Sequence, residues 1–530
     1  MPKLVAMSTN NKAYFNKGLF LVFTLTLIAS CVGIYYSSLQ NIFLSWGDNL
    51  FVTDNPIITA FSLENLKTIF LSKKQLLYIP MTMLSFQLEF HFFGLEPFIY
   101  HLSNLILHSL NCLLILWGVY LICKKQWIAF VTALIFAVHP LHVETVSWVS
   151  QRTELLSTFF FLCALISYIH FRESRKLTTY LFCFILFIFA ILSKPIAIMF
   201  PLIMLLIDFK IPKKYREKYF LEKIPFFIIS IYFGIMALSL QQSAAFSTLS
   251  IWERLLVGTQ TLTFYLEKLI LPTNLSAMYP FPETIAWLSP EFLMPILLFS
   301  FFILVVLFSL EETSNLYFGF FFFFFTIIPS LILTTSGSTV AAADRYMYLP
   351  SIGLIYLLAV GFHYIYNKIS WHQILKKIIL SLLILSMVTS FSYAAYTRSL
   401  IWGNSEMLYL DTLSKYPNAI EANYNLGVIY EERGMTEPAI KRYKKAISLN
   451  ENHFMANNKL KKILDEQKRI EKEEAAALRI KKVKEKAAKQ IETKKSIAPL
   501  PSQSLPTSNF DSPDRGISLR SFELAQTENK

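Results

Sequence analysis

Residues 129–157 read AFVTALIFAVHPLHVETVSWVSQRTELLS. An apolar run ends at Val138, gives way to a stretch carrying His139, His142, Glu144, Arg152 and Glu154, and turns apolar again at Leu155. Two membrane-spanning helices joined by a short polar connection produce this pattern, and the pattern recurs along the chain. Of its 530 residues 54% are hydrophobic, 48 are Phe and only 16% are charged. Soluble domains carry about 25% charged residues, and repeated apolar runs of about 20 residues mark spanning helices. The chain is therefore read as an all-α, polytopic membrane protein. Its five cysteines (Cys31, Cys112, Cys123, Cys163, Cys183) show no CxxC pairing and give no disulfide or zinc framework.

Basic clusters set the orientation. Lys3, Lys12 and Lys17 precede the first span, at about 18–38, and place the N-terminal segment 1–17 in the cytoplasm as the flank of an anchor. Lys124-Lys125 follow a span at about 98–123, so residues 39–97 form a first exoplasmic loop. Further spans fall at about 127–140 and 155–171, in two short pieces around Lys194-Pro195, and at about 224–240. The basic segment FKIPKKYREK, ahead of the last of these spans, marks a cytoplasmic loop. Spans at about 291–310, 316–334, 346–366 and 376–396 complete a membrane domain over 18–398, with about eleven spans. Segments 76–93 and 252–271 are apolar but interrupted by charges, and are read as interfacial helices. The net charge of +13 is topology and tail chemistry, so no nucleic-acid partner is expected.

Beyond the membrane domain the composition changes. EANYNLGVIYEERGMTEPAIKRYKKAISLNEN carries Leu426-Gly427, Tyr430, Gly434, Ala439, Tyr443 and Ala446 at the offsets of one tetratricopeptide repeat. The repeat region is placed at 399–465, a charged helix at 466–496 and a disordered Ser/Pro-rich tail at 497–530. A single repeat cannot bury its apolar face alone. It is therefore expected to dock on the membrane domain, on SEMLYLDTLSKYP or on a protein partner.

The polar residues of the exoplasmic side are the functional candidates. They are Asp54, the group His139, His142, Glu144, Arg152 and Glu154, then Lys194, and Asp344-Arg345. A charge at the end of a span often only anchors it. Four distant segments converging on one face argue for more. A carboxylate among cations suits a base that deprotonates a hydroxyl while an anionic phosphate departs. His139 and His142 straddle Pro140 and do not share a helical face, so no metal site is assigned to them.

FVTDNPII, FGLEPFIYHLSNLILH, the 129–157 stretch, ILSKPIAI, ADRYMYLPSIG and NAIEANYNLGVIYEERG follow one another in an order that resembles a known family. It is that of the transmembrane and tetratricopeptide-repeat-containing O-mannosyltransferases and their bacterial relatives, within the C-type, polyprenyl-phosphate-sugar-dependent glycosyltransferases. The resemblance covers about residues 40–460. It implies inverting transfer of a sugar, mannose foremost, from a polyprenyl-phosphate donor to a hydroxyl of a protein or glycan. It also implies that Asp54 is the general base, with Asp48 as fallback. Lys194 and Arg345 would hold the donor phosphate, while Arg152, Glu144, His139 and His142 shape the sugar and phosphate pocket. Asn55 stands where the family has a second acidic residue, and Pro195 where an acidic neighbour of the lysine is usual. No cofactor is assigned, and a divalent metal stays open. Membrane lipid is a partner by class, and a bacterial plasma membrane is the expected home. A transporter of lipid-linked sugars or a non-catalytic scaffold carrying the repeat are the alternative readings.

Overall fold

The computed structural model describes residues 15–71, 78–210, 220–242, 250–282, 285, 289–308, 314–335, 340–368 and 373–495. Most of FKIPKKYREK, the first two N-terminal lysines and the 497–530 tail lie outside these residues. The chain divides into two units, Met1–Leu460 and Lys461–Lys530. The first holds α1 (Lys17–Tyr35), α2 (Leu63–Leu71), α3 (Pro80–Phe93), α4 (Pro97–Cys123), α5 (Gln126–Val138) and α6 (Val143–Ser147). Next come α7 (Arg152–Ser174), α8 (Leu177–Ser193), α9 (Phe200–Lys210), α10 (Ile224–Gln242) and α11 (Ile251–Ile270). They are followed by α12 (Pro290–Phe308), α13 (Ser314–Thr335), α14 (Ser351–Lys368) and α15 (Gln373–Ile401). Three short helices end this part: α16 (Ser405–Lys415), α17 (Ile420–Glu432) and α18 (Thr436–Leu449).

A helix lies over every expected span. By length and composition, six of the described helices can cross a membrane, or seven if α5 and the bent segment after it count as one. That segment turns by 56° at Pro140, which lacks the amide a continuous helix requires. The remaining expected spans correspond to α8, α9, α12 and α14, which are not among these candidates. The segments read as interfacial, α3 and α11, are not among the candidate spans.

The helix ends sort into two sets. At one end, Lys124 and Arg175 take left-handed conformations (φ 55° and 57°) and close the α4–α5 and α7–α8 hairpins. There Asp208 on α9 accepts from Tyr168 Oη (2.8 Å) and Lys223 Nζ (2.5 Å) and forms an ion pair with Arg172 (2.8 Å), which ties α7 and α9 to the start of α10. The opposite end gathers the polar candidates. α13 and α14 cross at Gly319 and Gly353. A Cβ on Gly353 would lie 2.8 Å from the Phe323 nitrogen, a backbone atom that cannot swing aside. Gly353→Val is therefore expected to cost about 1–3 kcal/mol, the usual penalty of overpacking, read as a lower thermal midpoint in detergent.

The segment read as a repeat folds into the α17–α18 hairpin. Gly427 lets the helices approach, since a Cβ there would meet the Tyr443 ring at 2.7 Å. The hairpin docks as its exposed apolar face requires. Tyr409, Leu413, Ala419, Ala422 and Leu426 pack with Met278 and Val340 of the membrane domain. α16, which is SEMLYLDTLSK, is the intermediary. Its Lys415 Nζ donates to the Leu275 carbonyl at 2.6 Å, and its Asp411 pairs with Arg398 of α15 at 2.5 Å. The charged helix expected at 466–496 starts earlier. α19 runs over Phe454–Lys495, because nothing after the Asn450–His453 turn is Gly or Pro to stop it. From Lys461 onward it is largely exposed.

Candidate active site

The first loop is built on a small core of its own. Val52 and Ile58 pack with Met83 and Phe86 of α3, Tyr100 of α4 and Val149. One π-turn over Asn49–Thr53 delivers Asp54 at its end. Asp54 is exposed, its carboxylate accepts from Thr53 Oγ1 at 3.1 Å, and it forms no ion pair among the described residues. Beside it Asn55 closes the turn, donating to the Leu50 carbonyl and accepting from the Ile57 amide. In place of a second carboxylate, the chain has a residue that holds the loop through both a donor and an acceptor.

Two cations with buried acidic partners stand at the same end of the bundle. Lys194, in the extended break between α8 and the next turn, pairs with Glu154 of α7. Arg345, in the turn before α14, pairs with Glu144 of α6 through its guanidinium, and its backbone amide donates to the same carboxylate at 3.0 Å. Both carboxylates are 1% exposed, while Lys194 and Arg345 keep 17% and 14% of their side chains accessible. The two cations meet over one ring. Lys194 Nζ is 5.4 Å and Arg345 Cζ 4.8 Å from the centroid of Tyr346. Anchoring each cation by a buried acid fixes its position, and the accessible remainder faces outward. Among anions, planar guanidinium and ammonium together suit a phosphate best.

Four of the expected site residues have their polar atoms engaged within the fold. Arg152 is almost fully buried and its nitrogens are committed: Nε to Asn104 (2.5 Å), one terminal nitrogen to Glu89 (2.7 Å), the other to the Tyr100 carbonyl (2.8 Å). It ties α3 and α4 to α7 instead of lining a phosphate pocket. His139 lies between the Leu141 amide and the Leu269 carbonyl, His142 between the Phe136 carbonyl and Ser351. Both rings are wholly buried. They brace the bend at Pro140 against α11 and α14, with no ring nitrogen left for a sugar. The fallback base, Asp48, is also buried. It accepts from the amides of Leu44 and Ser150, each at 2.9 Å, and from the Ser150 hydroxyl, so it staples the first loop to the start of α7.

Burial raises the Asp48 carboxyl from 3.8 to about 6, against the hydrogen bonds from Leu44 and Ser150 that oppose the rise. A carboxyl raised in the folded state contributes stability that is fully present below its unfolded value and lost as pH climbs through its folded value. The folding stability is therefore expected to fall from about pH 4 to about pH 6, by an amount on the order of 3 kcal/mol, read as a lower thermal midpoint. Asp48→Asn should make that segment shallower in a pH series of unfolding scans. Asp344 rises further, to about 8, through burial first and the nearby Glu144 second, and accepts from Tyr279 Oη at 2.8 Å. It adds to the decline from about pH 4 and carries it on to about pH 8 in both proteins.

Glu89 and Tyr346 were not singled out from sequence. Glu89 is the one acidic residue of LLYIPMTMLSFQLEFHFF, an isolated charge in an apolar helix that asks for a buried partner. Its second oxygen, like that of Glu154, is buried without a hydrogen bond.

Residues 100–252 match the family model described as dolichyl-phosphate-mannose-protein mannosyltransferase. The chain is 28% identical over 420 residues to protein O-mannosyl-transferase F38B6.6 of Caenorhabditis elegans, covering 75% of this chain and 58% of the relative. It is 34% identical over 173 residues to Drosophila melanogaster Tmtc3, covering 27% and 18% of the two chains. With mouse TMTC1 it shares 41% identity over 92 residues, 17% of this chain and 10% of the relative. The chain thus spans a little over half of the worm relative and smaller shares of the others. These similarities bear out the resemblance to the transmembrane and tetratricopeptide-repeat-containing O-mannosyltransferases.

Proposed function

We propose that this chain is a membrane mannosyltransferase that uses a polyprenyl-phosphate-mannose donor and acts on the exoplasmic side. The observation that carries the reading is the pairing of Lys194 and Arg345 over Tyr346, at the end of the bundle that also bears Asp54. The activity for which the relatives are named supports the sugar.

Each residue then has a chemical task. The acceptor hydroxyl gives its proton to the Asp54 carboxylate as its oxygen forms a bond to the anomeric carbon. The bond from that carbon to the phosphate oxygen breaks, and its electron pair leaves with polyprenyl phosphate. Lys194 and Arg345 balance the charge that develops on the leaving phosphate, the group whose stabilisation lowers the barrier most. Their acidic partners hold the cations in place before the donor arrives, so little reorganisation is needed during the reaction. Arg152, Asp48, His139 and His142 act at one remove, by fixing the first loop and the Pro140 bend.

Donor class separates this reading from its rivals. Purified full chain is offered labelled mannose on polyprenyl phosphate or on a nucleotide diphosphate, with hydroxyl-bearing peptides as acceptors. Transfer from the lipid donor alone is the expected result. Transfer from the nucleotide donor would refute the assigned donor site, and no transfer from any sugar donor by folded protein would favour a scaffold.

A further inference from the structure

Deep between α1 and α4 lies a cluster that the transfer chemistry does not use. Cys31 and Tyr35 are one turn apart on α1, and His108 and Cys112 one turn apart on α4. The two sulfur atoms are 3.8 Å apart, and Cys112 Sγ is 3.9 Å from His108 Nε2. All three donor atoms lie within 4.8 Å of one another, and the four residues are essentially inaccessible.

We propose that Cys31, His108 and Cys112 bind a divalent metal ion of the zinc class, with the Tyr35 hydroxyl as the fourth donor. Three arguments carry this. The first is spacing: zinc–sulfur bonds of about 2.3 Å in a tetrahedral site put two sulfurs about 3.8 Å apart, whereas a disulfide would bring them to about 2.05 Å. The second is charge. Two thiolates and a neutral imidazole cancel a divalent ion, so the complex adds no net charge to an apolar interior. The third is the surroundings. Ligating histidines commonly use their other ring nitrogen to hold a fixed partner, and His108 Nδ1 lies 2.8 Å from Tyr348 Oη, which Asn111 Nδ2 approaches at 3.3 Å. The Tyr35 hydroxyl is buried with no hydrogen-bond partner, and its ring stands 5.3 Å from that of His108. Buried cysteines often serve only as small hydrophobes. That role leaves the Tyr35 hydroxyl orphaned. The ion would replace the 3.3 Å approach of His108 Nε2 to the Ala137 carbonyl. It would also clamp α1 to α4 and, through Tyr348, to the turn that carries Arg345.

This inference does not depend on the sugar-transfer reading. The test uses full-length protein purified under reducing conditions, analysed for metal by mass spectrometry and then exchanged with cobalt(II). Stoichiometric zinc and a thiolate-to-cobalt charge-transfer band are expected. Both should be lost in Cys31→Ser and Cys112→Ser, retained in Cys163→Ser and Cys183→Ser, and partly restored in Cys112→His. If the serine variants fail to fold, the cobalt spectrum of the wild type decides alone. Absence of zinc together with no thiolate band in reduced wild type would overturn the site, as would a Cys31–Cys112 disulfide in the purified protein.

Discussion

Asp54→Asn is expected to lower the transfer rate by about 10²–10⁴-fold, the usual contribution of a positioned general base, equivalent to roughly 3–5 kcal/mol of barrier. Donor affinity should stay within experimental error. The substitution is nearly isosteric, and the amide oxygen can still accept from Thr53. Since Asp54 is exposed and forms no ion pair among the described residues, the thermal midpoint should not move. Asp48→Asn should show the converse, a changed pH dependence of unfolding, because Asp48 is buried under three donors. Equal turnover of wild type and Asp54→Asn would remove Asp54 from the chemistry. A fall in donor affinity equal to the fall in turnover would make it a binding residue instead.

Glu144→Gln is expected to act on the donor phosphate and on the fold together. The carboxylate is 1% exposed and serves both the guanidinium and the backbone amide of Arg345. Its loss leaves a mostly buried guanidinium without its counter-charge, and such a change costs about 3–5 kcal/mol in closed sites. The residual exposure of Arg345, 14%, places this pair toward the lower end of that range. Donor KM should rise and the thermal midpoint should drop. The double variant Glu144→Gln/Arg345→Met should be more stable than Glu144→Gln alone, because the orphaned charge is gone, yet no better at binding donor. Such non-additivity is the signature of directly paired groups. Restored donor binding in the double variant would dissociate Arg345 from the phosphate.

Much of the fold was legible from local patterns. Apolar runs bounded by Lys17, Lys124-Lys125 and Arg172 read as spans because lipid imposes helix length and composition segment by segment. Gly427 and Tyr443 announced a hairpin because the offset itself states that a small residue faces a ring. Side-chain pairing was less accessible. The resemblance puts His139 and His142 in the sugar and phosphate pocket, and only the Leu269 and Phe136 carbonyls, supplied by the folded chain, show that their nitrogens are committed. Arg152 looked like a phosphate binder until Glu89, from a helix read only as interfacial, took it. The Cys31–His108–Cys112 cluster has no signature in sequence because its donors come from two helices far apart in the chain, with only the one-turn spacing of His108 and Cys112 as a local trace.

Sided transfer tests the central claim most directly. The full chain is reconstituted in vesicles with its orientation determined by protease access to the repeat hairpin, and polyprenyl-phosphate-mannose carrying label is placed in the bilayer. Acceptor peptide is then supplied on one side at a time. Labelled mannose on the peptide only where it shares a compartment with the hairpin and the Asp54 loop is the result this account predicts. Transfer on the opposite side, or none on either side from correctly folded protein, would contradict it.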